Sequence, residues 1–457
     1  MIGGGASGTL TAVHLLRRAA RDGVPLRIAL LDRAGRHGLG QAYSTTHPGH
    51  LLNSPAARMS ALADDPGHLV RWAQAAGLDH DGFVPRWAYG RYLRDLLADA
   101  QDRARKVARL SQLTSEVEAI GSGGPHGARR LHLAGGGRID ADITVLATGS
   151  PGRAPLLPVT PGGGYVADPW APGALDRIGD GSPVLVLGTG LTMIDVALSA
   201  TRASPRTVVY AVSRHGLLPR AHVPSAGPGE VTVLPVLPEL PDEAGLAPLI
   251  RYVRTFVAQY PGCWQDAVDA LRPAVPLLWA RLPAADKRLF VRQVARHWEV
   301  HRHRMPPATA ARIGQLRADG RLRLIRGRIS AVTTDGPRLR ARIDQQQGHL
   351  DLTAGWVVDA TGPAVDVTST PDPLIRSLLA GGLVRPDPLR LGIDADSGGA
   401  VIDARGRPSA DFFTLGPTLR GVRYETTAIA EIKDQAAALA GRLIDTARSR
   451  ATSGTAA

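Results

Sequence analysis

Two glycine-rich turns constrain the fold of this chain more than any other feature. The first is Gly3-Gly4-Gly5-Ala6-Ser7-Gly8, and the second is Gly188-Thr189-Gly190-Leu191-Thr192, directly after the apolar run 184–187. A turn of this kind, between a strand and a helix, points backbone N–H groups and the positive end of the helix dipole at a phosphate. Two such turns in a chain of 457 residues predict an α/β fold with two Rossmann-like dinucleotide-binding domains.

The first turn has the glycine spacing of a dinucleotide fingerprint, and the apolar run 26–31 that follows it ends at Asp32. A carboxylate at about this spacing accepts hydrogen bonds from ribose hydroxyls. The strand that should precede Gly3 is reduced to Met1 and Ile2, whereas strands average about five residues, so we expect the natural start to lie upstream. The predicted nucleotide site comprises Gly3, Gly5, Ala6, Ser7, Gly8, Asp32 and Arg33.

The second turn departs from the fingerprint because Met193 stands at the third glycine position. The next predicted strand, 207–212, ends at Ser213-Arg214. A carboxylate there would repel a 2′-phosphate, whereas a hydroxyl and a guanidinium attract it. We interpret this site as NADPH-preferring, with the alternative that Arg214 is one more surface arginine. Its predicted residues are Gly188, Gly190, Leu191, Thr192, Ser213 and Arg214.

Two Ala-Thr-Gly triplets each follow a predicted buried strand. The strand 141–146 leads into Ala147-Thr148-Gly149, and the strand 356–359 leads into Ala360-Thr361-Gly362. Small residues in these turns let the chain pass close beneath a bound nucleotide. One triplet follows each glycine-rich turn, and the pair therefore favours two nucleotide sites of similar construction.

With these features the chain resembles the two-dinucleotide-binding flavoproteins, in which an NAD(P) domain interrupts an FAD domain. More closely, it is similar to a bacterial family of FAD/NAD(P)-binding proteins related to the class B flavin monooxygenases and the ornithine and lysine N-hydroxylases. The segments that carry the resemblance are GQAYS at 40–44, LLNSPAARMS at 51–60, FVPR at 83–86, SRHGLLPR at 213–220 and HRHRM at 301–305.

The resemblance implies that the first turn binds FAD, that the second binds NADPH, and that the loop 53–60 lies near the flavin ring. The further cofactor-binding residues it implies are Asn53, Arg58, Met59, Ser60, Val117, Ala147, Thr148, Gly149, Thr361, Gly362, Gly416, Thr426 and Thr427. Two departures limit the transfer. The histidine fingerprint of Baeyer–Villiger enzymes is missing before the second turn, and Gly416 is followed by Pro417 where many flavin reductases have Gly-Asp.

The α/β pattern breaks between 216 and 314, where proline-rich turns lead into predicted helices near 243–260, 263–272 and 284–304. We interpret this stretch as a helical insertion on the substrate side. The expected domains are the N-terminal segment of the FAD domain (1–155), the NAD(P) domain (156–215), the insertion (216–314), the remainder of both nucleotide domains (315–447) and a frayed tail (448–457).

Two patterns in the insertion leave alternatives open. Arg288, Arg292 and Arg296 repeat at the spacing of one helix face, and could bind an anion or form a solvated face, which we favour. His297 and His301 have the spacing of a helical metal pair, but no third ligand is near in sequence. We therefore predict no metal site and identify no catalytic residue.

Composition narrows the function classes. Cys263 is the only cysteine, which excludes an internal disulfide or a Cys-x-x-Cys redox pair. The net charge of +13 comes from arginines spread along the chain, and no basic and aromatic recognition module for nucleic acid is present. No apolar run reaches the roughly 20 residues of a membrane span. We expect a cytoplasmic protein that acts on a small molecule, without a nucleic-acid or membrane partner.

The favoured hypothesis is an FAD-dependent, NADPH-linked monooxygenase acting on a small molecule, with an amine nitrogen as the reacting atom. The first alternative is an NADPH-dependent flavin reductase or dehydrogenase that inserts no oxygen. The second alternative is a basic protein that binds nucleotides or nucleic acid without catalysis.

Overall fold

A computed structural model describes residues 1–78, 82–156, 163–223 and 234–454. Strands and helices alternate at both ends of the chain, and helices alone occupy the middle. The strands are β1 (Leu26–Asp32), β2 (Ala108–Thr114), β3 (Val117–Gly121), β4 (Arg129–Leu133), β5 (Arg138–Ala141), β6 (Thr144–Leu146), β7 (Tyr165–Val166), β8 (Val184–Leu187), β9 (Val209–Ser213), β10 (Leu322–Arg326), β11 (Arg328–Asp335), β12 (Arg338–Asp344), β13 (His349–Ala354), β14 (Trp356–Asp359), β15 (Ala400–Ile402) and β16 (Pro408–Thr414).

The helices frame these strands. They are α1 (Ala6–Asp22), α2 (His68–Ala75), α3 (Arg86–Ala104), α4 (Leu191–Ala203), α5 (Leu246–Gln259), α6 (Trp264–Leu271), α7 (Val275–Arg281), α8 (Ala284–Leu289), α9 (Ala295–Arg302), α10 (Pro307–Ala318), α11 (Pro373–Ala380), α12 (Arg420–Arg423) and α13 (Ile429–Gly454).

The first sheet is assembled from both ends of the chain. Strand β1 pairs in parallel with β2, and β16 pairs in parallel with β6 and antiparallel with β15. Ile2 joins the two halves, because it forms parallel bridges to both Leu31 and Leu146. Its N–H donates to Val145 O at 2.8 Å, and its carbonyl accepts from Ala147 N at 2.8 Å. The short segment before the first glycine-rich turn therefore holds the central strand position.

Three helices form the core around this sheet. Helix α1 has no Gly or Pro after Gly8 and ends at Gly23, which adopts the left-handed conformation. It packs against α3 and α13. Its residues Leu10 and Leu16 are fully buried in the same cluster as Tyr89 of α3 and Ala436 of α13. The N-terminal and C-terminal regions of the chain thus share one hydrophobic core.

The second sheet is parallel throughout, in the order β10-β9-β8-β14-β7. All four residues of β8 are buried, as expected for a central strand covered on both faces. Strands β10 and β14 come from sequence far beyond the second glycine-rich turn. Each parallel sheet is also packed against a three-stranded antiparallel sheet, β3-β4-β5 beside the first and β11-β12-β13 beside the second.

The helices expected near 243–260, 263–272 and 284–304 are present as α5, as α6, and as α8 and α9 joined by a π-helical turn, Phe290–Val294. Helix α7 lies outside the three expected helical stretches, in a region that contains Pro273 and Pro276. Pro276 lies in the first turn of α7, where a missing N–H breaks no helical hydrogen bond.

The last helix is longer than expected. We expected fraying from Arg448, but α13 extends to Gly454, and the Arg448 guanidinium lies 3.7 Å from Asp22 of α1. None of the helices in the described ranges combines the length and apolar character that crossing a bilayer requires. The domain boundaries given above remain predictions.

Candidate functional site

The first glycine-rich turn passes directly over the strand β6. Gly3 has a φ of +110°, and a Cβ built on it would lie 2.3 Å from the carbonyl oxygen of Ala147. A Cβ on Gly8 would lie 1.9 Å from Gly3 O, inside van der Waals contact. Only glycine fits at either position, since one needs a positive φ and the other has no space for a side chain. The turn and the first Ala-Thr-Gly triplet therefore form one unit.

The N-terminus of α1 is left open for an anion. Its N-cap residue, Gly5, has no side chain to cap the first turn, and the first hydrogen bond of the helix runs from Thr9 N to Gly5 O at 2.9 Å. The amides of Ala6, Ser7 and Gly8 precede that bond and face the end of the helix. This is the arrangement that binds phosphate groups in dinucleotide sites.

Asp32 ends β1 beside this turn. Its Oδ2 accepts from Gly4 N at 3.1 Å, and its Oδ1 accepts from the amides of Ala34 and Arg36 at 3.0 Å each. The carboxylate therefore shapes both the first glycine-rich turn and the loop that follows β1. Arg33 is exposed, with its guanidinium 3.9 Å from Glu116 and 4.0 Å from Asp372.

The second turn repeats this construction. Gly188 also has a φ of +110°, and a Cβ on it would lie 2.5 Å from Ala360 O, in the second triplet. Gly190 is the N-cap of α4, and a Cβ on it would meet nothing within 4 Å. The open space beside Gly190 lies at the first-turn amides of Leu191 and Thr192. Met193 replaces the third glycine and is fully buried in the core of the second sheet.

Ser213 and Arg214 lie at the carboxyl end of β9, as predicted. Ser213 Oγ is 2.9 Å from Thr189 Oγ1 and accepts from Gly216 N at 3.0 Å, so the serine also fixes the turn. The exposed Arg214 lines a polar cleft of about 690 Å³ together with Arg326 and Arg328. Arg326 was missed in the sequence, because its position opposite Ser213 follows from the register of β10 on β9.

Some residues of the loop 51–60 are buried in the hydrophobic core, and others contact neighbouring elements. Met59 is buried in the hydrophobic core, and the buried Ser60 hydroxyl hydrogen-bonds to Leu62 and Asp65 carbonyls at 3.2 and 2.6 Å. Their side chains support the loop from inside, and the proximity of this loop to the flavin remains a prediction. Arg58 forms an ion pair with Asp269 of α6. Asn53 O is 3.0 Å from Nε2 of His222, and burial lowers the pKa of that histidine to about 4.

Gly416 meets the first turn from the far end of the chain. A Cβ on Gly416 would lie 2.6 Å from Ser7 Oγ. Gln435 of α13 holds this contact, because its Oε1 accepts from Gly416 N at 2.9 Å and its Nε2 donates to Thr426 Oγ1 at 2.8 Å. Thr426 Oγ1 in turn donates to Gly416 O at 2.9 Å. Thr427 is exposed beside them. Gln435 had no sequence signal, since its role depends on these distant partners.

The remaining predicted residues lie around the two turns. Val117 is buried at the start of β3 and packs in the cluster that contains Ile2. Thr148 and Gly149 follow Ala147 and are half-buried. Thr361 and Gly362 are exposed, and the Thr361 hydroxyl donates to Asp359 Oδ1 at 2.6 Å. These positions border the nucleotide sites through the two triplets.

The comparisons match the N-terminal part of the chain to a domain family and nearly the whole chain to known folds. Residues 1–151 match the family model described as FAD-NAD(P)-binding. No curated protein matches the chain. Among solved structures, L-lysine 6-monooxygenase from Pseudomonas syringae superposes with a TM-score of 0.64 at 16% identity, covering 98% of both chains.

Two further structures give the same result. The ornithine N-hydroxylase of Kutzneria sp. 744, solved with reduced FAD, NADP⁺ and L-ornithine, has a TM-score of 0.59 at 17% identity and covers 97% of both chains. The FAD-bound cadaverine monooxygenase of Erwinia amylovora has a TM-score of 0.59 at 14% identity and covers 90% of this chain and 87% of its own. The fold is therefore that of the two-dinucleotide-binding flavoproteins, as predicted from the sequence.

A buried ion pair connects α3, within the residues that match the family model, to α4, which follows the second glycine-rich turn. Arg86 Nη2, at the start of α3, lies 2.9 Å from Asp195 Oδ2 of α4, and both side chains are largely buried. Burial raises the pKa of Asp195 to about 6, although Arg86 opposes the shift. Asp195, in the first turns of α4, thus pairs with a residue of another helix. Nearby, His50 Nε2 is 2.9 Å from Ser199 Oγ of the same helix.

A second buried network joins the helical region to the FAD-NAD(P)-binding segment and to α13. Arg304, 1% exposed, donates to both oxygens of Asp269 at 2.6 Å. Burial opposes ionisation of Asp269, but Arg304 and Arg58 hold the pKa of this carboxyl below its ordinary value. Arg272 pairs with Glu431 at the start of α13. The charges of this network are thus paired with one another.

The helical region encloses an apolar cavity of about 850 Å³. Its walls come from α5, α6, α7, α9 and the π-helical turn, together with Tyr424, which follows α12. Trp279 and Trp298 donate hydrogen bonds from Nε1 to Gly421 O and Glu425 Oε1, both at 2.7 Å. Their indole rings are thereby fixed as elements of the wall.

The two histidines of α9 do not face each other as a metal pair. His301 Nδ1 is 2.7 Å from the carbonyl of His297, and its ring meets Trp264 edge-on. No group of three or more metal-binding side chains occurs in the portion of the chain that the structure describes. In the arginine stripe, the π-helical turn changes the helix phase, Arg288 and Arg292 are exposed, and Arg296 pairs with Glu299 at 3.3 Å. The solvated-face interpretation fits this arrangement.

Proposed function

We propose that the chain is an FAD-dependent, NADPH-linked monooxygenase that acts on an amine nitrogen of a small molecule. The proposal rests on one arrangement that occurs twice, which we call a cradle: a glycine packed against a carbonyl oxygen, next to a helix N-terminus without a side-chain cap. In the first cradle Gly3 meets Ala147 O, and in the second Gly188 meets Ala360 O. Similar folds belong to monooxygenases of lysine, ornithine and cadaverine. Those substrates share an amine, which is the basis for proposing the nitrogen.

FAD fits the first cradle and NADPH fits the second. The amides of Ala6 and Ser7 would hold the FAD pyrophosphate, and Asp32 would accept from its ribose. Gly416 and Thr427 are proposed to lie toward the flavin ring, where the N-terminus of α13 would favour negative charge on the reduced ring. When bound, the flavin would take hydride from NADPH and supply the oxygen chemistry. The protein would align the two rings and keep water from them.

The preference for NADPH over NADH is proposed to rest on two arginines. Arg214 and Arg326 end neighbouring parallel strands and line the same cleft. No acidic residue occupies the position of Ser213, and the cleft presents the guanidinium groups of Arg214 and Arg326 to a 2′-phosphate, although Asp344 also lines it. Paired guanidinium groups are well suited to phosphate oxygens, because each offers several donors in one plane.

The test is a flavin and turnover assay on the purified chain. We expect a yellow protein whose flavin is bleached by NADPH without oxygen, and whose aerobic NADPH oxidation yields a hydroxylated amine detected by mass spectrometry. Formation of hydrogen peroxide alone with every amine tested would support the flavin reductase alternative. A preparation that takes up neither FAD nor NADPH would contradict the proposal altogether.

The cellular setting and domain division belong to the same proposal. An enzyme that consumes NADPH needs the cytoplasmic coenzyme pool, which supports a cytoplasmic location. We further propose that 1–155 and the C-terminal portion of 315–447 form the FAD domain, and that 156–215 and the N-terminal portion of 315–447 form the NADPH domain. The pairing of β14 and β10 with β8 and β9, and of β16 with β6, supports this division.

A further inference from the structure

The side chains that line the apolar cavity of the helical region indicate which class of ligand the cavity can bind. Its floor is made of buried side chains, including Leu271, Trp279, Leu282 and Tyr424, each at most 6% exposed. A cavity of about 850 Å³ is within the range of sites that bury most of a drug-sized molecule. Such a floor favours an apolar body, because each buried CH₂ contributes about 0.8 kcal/mol to binding.

The rim of the cavity is basic. The charged residues among its lining are Arg220 and Arg254, both exposed, and the titratable residues are His297 and His301. Among the described residues that line the cavity, none is an aspartate or glutamate. A free ammonium group that entered this cavity would lose its hydration and find no carboxylate partner, which costs free energy. A carboxylate or another anionic group would meet a guanidinium at the rim.

The cavity also lies between the two proposed cofactor sites. On one side, the His297 ring is 6.2 Å from the ring of His215, which follows Ser213 and Arg214. On the other side, Tyr424 precedes the segment that includes Thr426 and Thr427. A molecule in the cavity would therefore lie near residues that neighbour both proposed sites.

We infer that the substrate of this chain is an anionic amphiphile, with a hydrophobic body in the cavity, a carboxylate or similar group at the Arg220 and Arg254 rim, and its reacting amine nitrogen outside the cavity. The statement that this molecule is a substrate rests on the proposed function, whereas the statement that the cavity binds it does not. It distinguishes the chain from proteins of the same fold named for lysine, ornithine and cadaverine, because a free diamine has the wrong charge and too little apolar surface for this cavity.

The inference is tested by calorimetry on the flavin-loaded chain, with two probes of equal length, dodecanoate and dodecylamine, at concentrations below their micelle points. We expect dodecanoate to bind at least tenfold more tightly than dodecylamine. Its binding should show a negative heat-capacity change, the mark of apolar burial. Equal affinity, tighter binding of the amine, or no binding of either probe would overturn the inference.

Matched variants locate the binding. Leu249→Trp places a large ring at a half-buried wall position and should abolish dodecanoate binding, whereas Leu277→Trp, 56% exposed on α7 and outside the cavity, should leave it unchanged. Arg254→Glu should weaken dodecanoate at least tenfold. Arg251→Glu, on the same helix but paired with Glu243, should change it less than twofold. Equal effects of the members of either pair would overturn the location.

The outcome is separate from that of the proposed function. Flavin content and NADPH-dependent bleaching report on the cofactor sites, and calorimetry reports on the cavity. A chain that binds and reduces FAD but does not discriminate the two probes would refute the substrate class alone. A chain that lacks flavin yet binds dodecanoate through Arg254 would refute the enzyme and retain the ligand site.

Discussion

Arg86 Nη2 lies 2.9 Å from Asp195 Oδ2, and this ion pair connects α3 to α4, the helix that follows the second glycine-rich turn. Arg86 also stacks on Trp170, with its guanidinium carbon 5.1 Å from the ring centroid. One side chain therefore contacts both α4 and the segment between β7 and β8. Since both charges are largely buried, removing one leaves the other without a partner.

We expect Arg86→Met to lower the free energy of unfolding by about 3 to 5 kcal/mol, the usual effect of leaving one partner of a buried pair uncompensated. Urea titration at pH 7 measures the change. Arg91→Met is the matched control, because Arg91 lies on the same helix with its side chain 65% exposed and 3.8 Å from Asp95, and it should change stability by less than about 0.5 kcal/mol. A double variant, Arg86→Met with Asp195→Leu, should recover most of the loss.

The two glycines of the second cradle are expected to respond differently to alanine. Gly188→Ala combines a positive φ with a clash against Ala360 O and should lower stability by about 3 kcal/mol. Gly190→Ala meets nothing within 4 Å, so the fold should be retained while the added methyl group blocks the phosphates. Thermal unfolding and the KM for NADPH measure the two effects. A normal KM in a folded Gly190→Ala variant would argue against coenzyme binding at this turn.

Removing either arginine of the proposed phosphate pair should shift coenzyme preference. We expect Arg214→Gln and Arg326→Gln each to lower the ratio of kcat/KM for NADPH over NADH by about 10- to 100-fold, as a lost charged hydrogen bond contributes about 1.5 to 3 kcal/mol. Arg323→Gln on the same strand as Arg326 is the control, since Arg323 stacks on Tyr210 instead. The idea fails if the ratio changes equally in all three variants.

The buried His50 should make the fold sensitive to mild acid. Burial, assisted by the charge of Arg86, lowers the pKa of His50 to about 4 in the folded chain, against an ordinary value of 6.5. Between these values the unfolded chain binds more protons, so stability falls as the pH decreases. Asp195 has a raised pKa and acts in the opposite direction, and a comparison of variants is therefore needed.

Relative to His50→Asn, the wild-type chain should lose about 2 kcal/mol of unfolding free energy between pH 7 and pH 5. The contribution of Asp195 is present in both proteins and cancels in the difference. Urea titrations at a series of pH values give the comparison. A difference that is independent of pH would show that His50 titrates alike in the folded and unfolded chains.

The local features of the fold could be predicted from the sequence because their causes are local. The glycine spacing of the two turns and the apolar strands beside them were sufficient for the two-nucleotide fold. The two turns could be assigned because few residues other than glycine can adopt the positive φ that such turns require. Helix α7 was missed for a local reason too, since Pro276 in a first helical turn looks like a loop breaker.

The rest could not be predicted, because it depends on partners that are distant in sequence. Arg326 acquires a role only through the register of β10 on β9, and Gln435 only by reaching Gly416 and Thr426. The orientation of the Ser60 hydroxyl is set by its hydrogen bonds to the carbonyls of Leu62 and Asp65 in the folded loop. The cavity could not be recognised from a sequence motif, because its wall combines residues of several helices with Tyr424.

The late arrival of strands β14 and β16 sets the order in which the molecule can be built. During synthesis, the second cradle lacks its floor until Ala360 has left the ribosome, and the first lacks its neighbour until Gly416 has followed. A nascent chain therefore exposes two incomplete sheet edges for most of its translation, and both nucleotide sites mature together near its end. Stalled or truncated products should be the forms that chaperones and proteases recognise.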